Sequence, residues 1–393
     1  MTTTSGAKLL RRPGEPRRAN FLELFFDLVF VVALAQLSQD LIEDLRWSGA
    51  FQALVLLLGM WWIWTITAWT TDLYDPQRPA IQLLVTGTML GSLVMVIALP
   101  DAFGERGLVF AGALVTIHVG RQLFLVRALR GHELQRRSFR LLFWFGVSAV
   151  PWIAGALVPG TARGVLWTSA IAADYTGGIL RFPTPGLGRS PRTEWSVGAE
   201  HLAERYRQLF IIALGELILV TASTLTRTGF ATDRTTAFVV SFVGTALFWR
   251  IYIHRAGELL PAAIAAAPDP DRLARQTLLA HLIMLAGIVA TAVADELVIG
   301  HPLGHTRPAW VAVMLGGPAL FLAGLARFEY AVFSHTSRNR ALGVLALAAL
   351  TPAMLFVPPL LAALAATAVL AAIAVTDAAR ARGHQPEPPS PPG

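Results

Sequence analysis

The chain has 393 residues, 54% of them hydrophobic and only 15% charged, and it contains no cysteine. A soluble domain carries about 25% charged residues, so the composition excludes an ordinary soluble fold, and the lack of cysteine excludes disulfides, thiolate metal sites and cysteine nucleophiles. The net charge of +7 does not signal a nucleic-acid partner, because the arginines lie mostly in loops between apolar stretches, where topology signals belong.

Residues 1–20 are polar and basic, with Lys8, Arg11, Arg12, Arg17 and Arg18. The first apolar stretch follows. Its Ala33-Leu34-Ala35 resembles a signal-peptide cleavage site. Two carboxylates inside the stretch and its continuation to Ile42 make it an uncleaved membrane helix instead. Twelve such stretches run over 21–42, 51–70, 80–99, 106–128, 139–158, 161–179, 201–223, 235–254, 275–294, 309–326, 340–357 and 359–377. Each is near the roughly 20 residues that cross a bilayer. They are continuous, as in Leu54-Val55-Leu56-Leu57-Leu58, without period-2 alternation, so helices rather than a closed barrel satisfy the backbone in lipid. The expected fold is an all-α polytopic bundle of about twelve transmembrane helices. The sixth stretch is interrupted by Asp174 and Gly177-Gly178, and Pro358-Pro359 alone separates the last two.

Lys and Arg placement orients the chain. A cytoplasmic N-terminus puts inside the Lys8–Arg18 cluster, the Arg127–Arg140 loop, Arg181–Arg192, Arg255–Arg275 and Arg327–Arg340. It leaves roughly one Arg in each outer loop. An even span count returns the C-terminus to the cytoplasm. The expected location is therefore the bacterial cytoplasmic (inner) membrane with both termini inside.

The seventh stretch resembles the first: Glu23 through Val31 sets over Glu204 through Ile212 with carboxylate, aromatic and apolar positions matched. Trp62-Ile63-Trp64 likewise has a counterpart in Trp249-Arg250-Ile251-Tyr252. The organisation expected is a basic segment 1–20, a six-helix half 21–180, a cytoplasmic linker 181–200, a second six-helix half 201–377 and a Pro-rich disordered tail 378–393.

Charged residues inside these stretches carry the functional argument, since each costs roughly 2.5–3.5 kcal/mol at a helix centre on insertion scales. Glu23 and Asp27 share one face of the first helix, a turn apart. The seventh helix offers His201, Glu204, Arg205, Gln208 and Glu216 over several turns, Glu216 the deepest. Asp174 and Arg250 are secondary candidates. Arg205 suits a counter-ion of Glu23 or Glu204, and Trp61, Trp62, Trp64 and Trp69 suit packing better than ligand stacking. His201, Glu204 and Glu23 include metal-donor types, but no His-Glu-x-x-His spacing occurs, and no Walker or dinucleotide fingerprint implies a cofactor.

Glu23-Leu24-Phe25-Phe26-Asp27-Leu28-Val29-Phe30-Val31-Val32-Ala33 resembles the head signature of the bacterial low temperature requirement A family. His201-x-x-Glu204-Arg205 with Ile211-Ile212-Ala213-Leu214-Gly215-Glu216 resembles its second signature. The likeness covers about residues 20–375. It implies a multi-pass membrane protein named for a cold-growth phenotype. A more distant likeness links Phe26-Asp27 to cation channels whose first helix carries Phe-Ser-Asp. Here Phe26 stands where that Ser would be, and Arg207-Gln208 where the second half would have Phe-Asp.

The function expected is a transporter or channel that uses intramembrane carboxylates for a cation or proton. A non-catalytic stress or scaffold protein and a lipid-handling membrane enzyme stand as alternatives. The bilayer, the transported ion and further copies of the chain are the partners this implies, with no cofactor and no bound metal.

Overall fold

The computed structural model describes residues 8–11, 19–191, 194, 198–253, 259–383 and 389–391. Among these it forms thirteen α-helices and no β-strand: α1 Phe21–Glu43, α2 Trp47–Leu73, α3 Pro79–Ala98, α4 Gly107–Ala128, α5 Gln135–Leu157, α6 Thr161–Ile179 and α7 Ala199–Thr228. There follow α8 Thr232–Tyr252, α9 Leu260–Ala266, α10 Pro270–Gly300, α11 Pro308–Phe333, α12 Arg338–Met354 and α13 Pro359–Gly383.

Ten of them are long and apolar enough to cross a membrane. The stretches at 161–179 and 340–357 do form helices, α6 and α12, but neither is among the ten, and nor is the short α9, which the apolar pattern does not announce. Helix α13 continues to Gly383, beyond the boundary at 377, and Ser390 further on donates its N–H to the Val332 carbonyl at 3.0 Å. His254 and Arg255 lie outside the described residues.

Helix starts follow local chemistry. α3, α10, α11 and α13 each begin on a proline, whose missing N–H would be unsatisfied there in any case. Asp269 adds a side-chain cap to α10, accepting from the Arg272 N–H at 3.0 Å.

The polarity is that of a protein in lipid. Leu83, Leu90 and Ile97 project from one face of α3 at 70%, 65% and 63% exposure, while charged side chains such as Asp27 and Arg205 are fully buried. Contiguous apolar exposure on that scale suits acyl chains, not water.

The chain divides into two compact units. The first comprises residues up to Asp40 and Trp47–Leu202, and the second Leu41–Arg46 and Ala203–Gly393. In the first, Trp62, Ile66, Leu141, Phe145 and Phe182 form a core against which Trp69, Trp144 and Tyr175 pack. Trp61, Trp62 and Trp64 are all buried. Arg163 caps the C-terminal end of α5, donating to the carbonyls of Gly155 at 3.1 Å and Ala156 at 3.2 Å. Residues 9–11 line the end of α2: Arg11 donates from Nε to the Thr71 carbonyl at 3.0 Å and from its backbone N–H to Leu73 at 3.3 Å.

In the second unit α10 and α11 cross closely at Gly287, Gly317 and Gly324. A Cβ on Gly287 would lie 2.6 Å from the Phe321 nitrogen and 2.7 Å from the Gly317 oxygen. Arg340 at the start of α12 is fully buried. It donates from Nε to Glu329 Oε1 at 3.1 Å and from Nη2 to Asp377 Oδ2 at 2.6 Å, tying together α11, α12 and α13.

Candidate proton site at the head of the first unit

Glu23 lies in the first turn of α1, 1% exposed. Its Oε2 accepts from the backbone N–H of Asn20, the residue before the helix, at 2.7 Å. This is the back-reaching half of a capping box, in which an acid three residues into a helix satisfies an orphan donor at its start. The geometry leaves Oε1 pointing away from its own helix, and there it meets His201 Nε2 at 2.8 Å.

Asp72, in the last turn of α2, makes the mirror arrangement. Its Oδ2 accepts from the N–H of Gly198, the residue before α7, at 3.0 Å. Its Oδ1 lies 3.3 Å from His201 Nδ1, at ion-pair distance. One imidazole thus sits between two carboxylates, each held by the backbone N–H that opens a helix. His201 is 1% exposed and Asp72 2%, so bulk water does not screen these contacts.

The chemistry of the trio follows from proton counting. A neutral imidazole has one N–H and one lone pair. An N–H at Nε2 is used by Glu23 Oε1, whereas Nδ1 and Asp72 Oδ1 make no hydrogen bond with each other, so Asp72 acts on the ring as a nearby charge. The 2.8 Å contact is a direct hydrogen bond, shorter than the roughly 3.3 Å between two donors on one tetrahedral metal.

Asp27, one turn beyond Glu23, is held differently. It is fully buried, and its Oδ1 accepts from the Trp64 indole N–H at 2.9 Å. Trp64 stacks in turn on Trp61, ring centroids 4.9 Å apart. Asp174 on α6 is buried in the same unit, beside the Ser148 hydroxyl and the Trp152 indole.

Glu204, Arg205, Gln208 and Glu216 lie on the part of α7 that belongs to the second unit. Arg205 is fully buried and Glu216 is 8% exposed, whereas Glu204 and Gln208 are partly exposed. Arg250, near the end of α8, is exposed. The structure therefore joins Glu23 and His201 from the expected set and adds Asp72. That residue sits just past the apolar run 51–70, where it passes for a loop charge. One signal betrays it: an acid in the last turn of a helix opposes the helix dipole and needs a reason to be there.

Fold and polarity together define a multi-pass α-helical membrane protein. The chain belongs to the bacterial low temperature requirement A (LtrA) family, whose model matches residues 18–375. It is similar to the uncharacterized protein RA0937 of Rhizobium meliloti (strain 1021), with 39% identity over 312 residues, covering 78% of this chain and 76% of that one. No solved structure matches the chain.

Proposed function

We propose that the protein moves a proton or a small cation across the bacterial cytoplasmic membrane, with both termini on the cytoplasmic side. The observation that carries this is His201 held between Glu23 and Asp72, buried from solvent. Three buried ionisable groups in an apolar protein are costly to keep, and buried charged sites of this kind mark ion and proton paths. In this reading His201 is the central polar group of the path, between the two acids. Asp27, Glu204, Glu216 and Asp174 are further polar positions along the path, and Arg205 is internal counter-charge.

Flux into proteoliposomes, followed with a pH-sensitive dye under imposed H⁺, Na⁺ and K⁺ gradients, tests it. Wild type conducts, and His201→Gln or Asp72→Asn slows flux at least about tenfold, as expected for loss of a buried functional charge. Wild-type vesicles no leakier than protein-free ones under every gradient would sink the reading.

The grip of Glu23 and Asp72 on two helix starts favours a second reading, in which the trio only braces the bundle. Glu23→Gln keeps an acceptor oxygen for Asn20 while removing the charge. Full function in that variant supports bracing; loss of function in a protein that still folds supports transport.

A further inference from the structure

A second site lies wholly within the second unit and outside the trio. A cavity of about 30 Å³ opens where α8, α10, α11 and α13 meet, lined by Asp295, Ser241, Thr291, Met314, Pro318 and Phe248 among others. That space holds one or two waters, or one desolvated small ion. Asp295 is 7% exposed and Ser241 4%; the Ser241 hydroxyl neighbours the Asp295 carboxylate, yet neither Asp295 Oδ2 nor Ser241 Oγ makes a hydrogen bond of good geometry. A hydroxyl turned toward the carboxylate serves only one of its lone pairs, so this polar pair at a small apolar cavity keeps a desolvation penalty that a ligand or water reduces.

Thr291 and Met314 also line the cavity, and each has an oxygen with lone pairs to spare. Thr291 Oγ1 donates its proton to the Gly287 carbonyl at 2.8 Å, so its lone pairs are what remain for the cavity. Pro318 lies inside α11 and has no N–H, which leaves the carbonyl of Met314, one turn earlier, without its helical donor. All these groups offer oxygen lone pairs, and the only full charge among the six is the single carboxylate.

We propose that this cavity is a binding site for one small monovalent cation of the size of Na⁺, with Asp295 supplying the charge and Ser241, Thr291 and the Met314 carbonyl supplying neutral oxygens. One carboxylate balances one positive charge. A divalent ion would leave an uncompensated net charge in an apolar interior beside Phe248. Binding stands on this geometry alone; only the step of naming Na⁺ as the transported ion rests on the transport reading.

Equilibrium binding of ²²Na⁺ to the full chain in detergent at pH 8, with choline chloride holding ionic strength, tests the site. Wild type binds saturably at one ion per chain, Asp295→Asn abolishes binding, and Ser241→Ala weakens it roughly tenfold through loss of one oxygen. Absence of saturable binding in wild type overturns the proposal, as does full binding in Asp295→Asn. Where the Asn variant does not fold, Ser241→Ala decides, since an unchanged affinity there overturns the site. Binding without flux leaves the site standing and defeats transport; flux without binding does the reverse.

Discussion

Trp64 gives its indole N–H to Asp27 across 2.9 Å in the buried interior of the first unit. The bond makes Asp27 part of the packing between α1 and α2. Removing the donor takes one hydrogen bond from a buried acceptor, a loss of up to about 1–3 kcal/mol. Trp64→Phe is therefore expected to unfold at lower temperature than wild type, and Asp27→Asn, which keeps an acceptor oxygen, much less so. A thermal melt of both in detergent and of the double variant measures the coupling. Additive losses would show that the pair does not interact energetically.

Arg340 presents a harsher case, because one guanidinium serves two buried acids. Arg340→Met leaves Glu329 and Asp377 buried without it, and breaking such a pair costs about 3–5 kcal/mol. Adding Glu329→Gln and Asp377→Asn to the same variant is expected to recover most of that loss. Tryptophan fluorescence during thermal unfolding reads both changes. No recovery in the triple variant would mean that packing around Arg340, not its charge, holds the three helices.

The crossing of α10 on α11 supplies a paired test. A Cβ on Gly287 meets backbone atoms at 2.6 and 2.7 Å, which cannot step aside, whereas one on Gly316 meets nothing within 4 Å. Gly287→Ala is expected to destabilise by about 1–3 kcal/mol through overpacking. Gly316→Ala, in a helix interior, is expected to stabilise by roughly 0.5–1 kcal/mol. Melting temperatures moving in the same direction would contradict the crossing geometry.

Tyr74 lies just past the end of α2, outside the membrane spans. Burial holds its ionisation above the ordinary 10.0, opposed in part by Arg137. The unfolded chain therefore gives up this proton first. The stability it contributes is complete below about pH 10 and is lost as pH rises through the higher folded value. Between pH 9 and 11 the melting temperature of wild type should fall more steeply than that of Tyr74→Phe. Parallel curves would show the phenol to be free to ionise in the fold.

The helices were largely legible in the sequence, because an apolar stretch near bilayer thickness has few ways to satisfy its backbone. What lay across from each helix was not. Helical spacing places His201 beside Glu204 and Arg205, yet its neighbours in the first unit are Glu23 and Asp72, far away in the chain. Periodicity says which residues share a face and nothing about what that face meets. Asp72, Asp295, Glu329 and Asp377 escaped for a common reason: each sits at or just past the end of an apolar run. Charge there is expected at headgroup level, whereas the helices carry all four into the interior.

The hydrogen bond from His201 to Glu23 joins residues 178 positions apart. At synthesis rates of about 5–20 residues per second, Glu23 leaves the ribosome on the order of ten seconds or more before the imidazole it will meet. Asp72 waits nearly as long. The opening turn of α1 is thus among the last features of the first unit to reach its final form, although it is among the first made. Truncation before His201 should leave a nascent chain whose earliest helix is inserted but not yet locked.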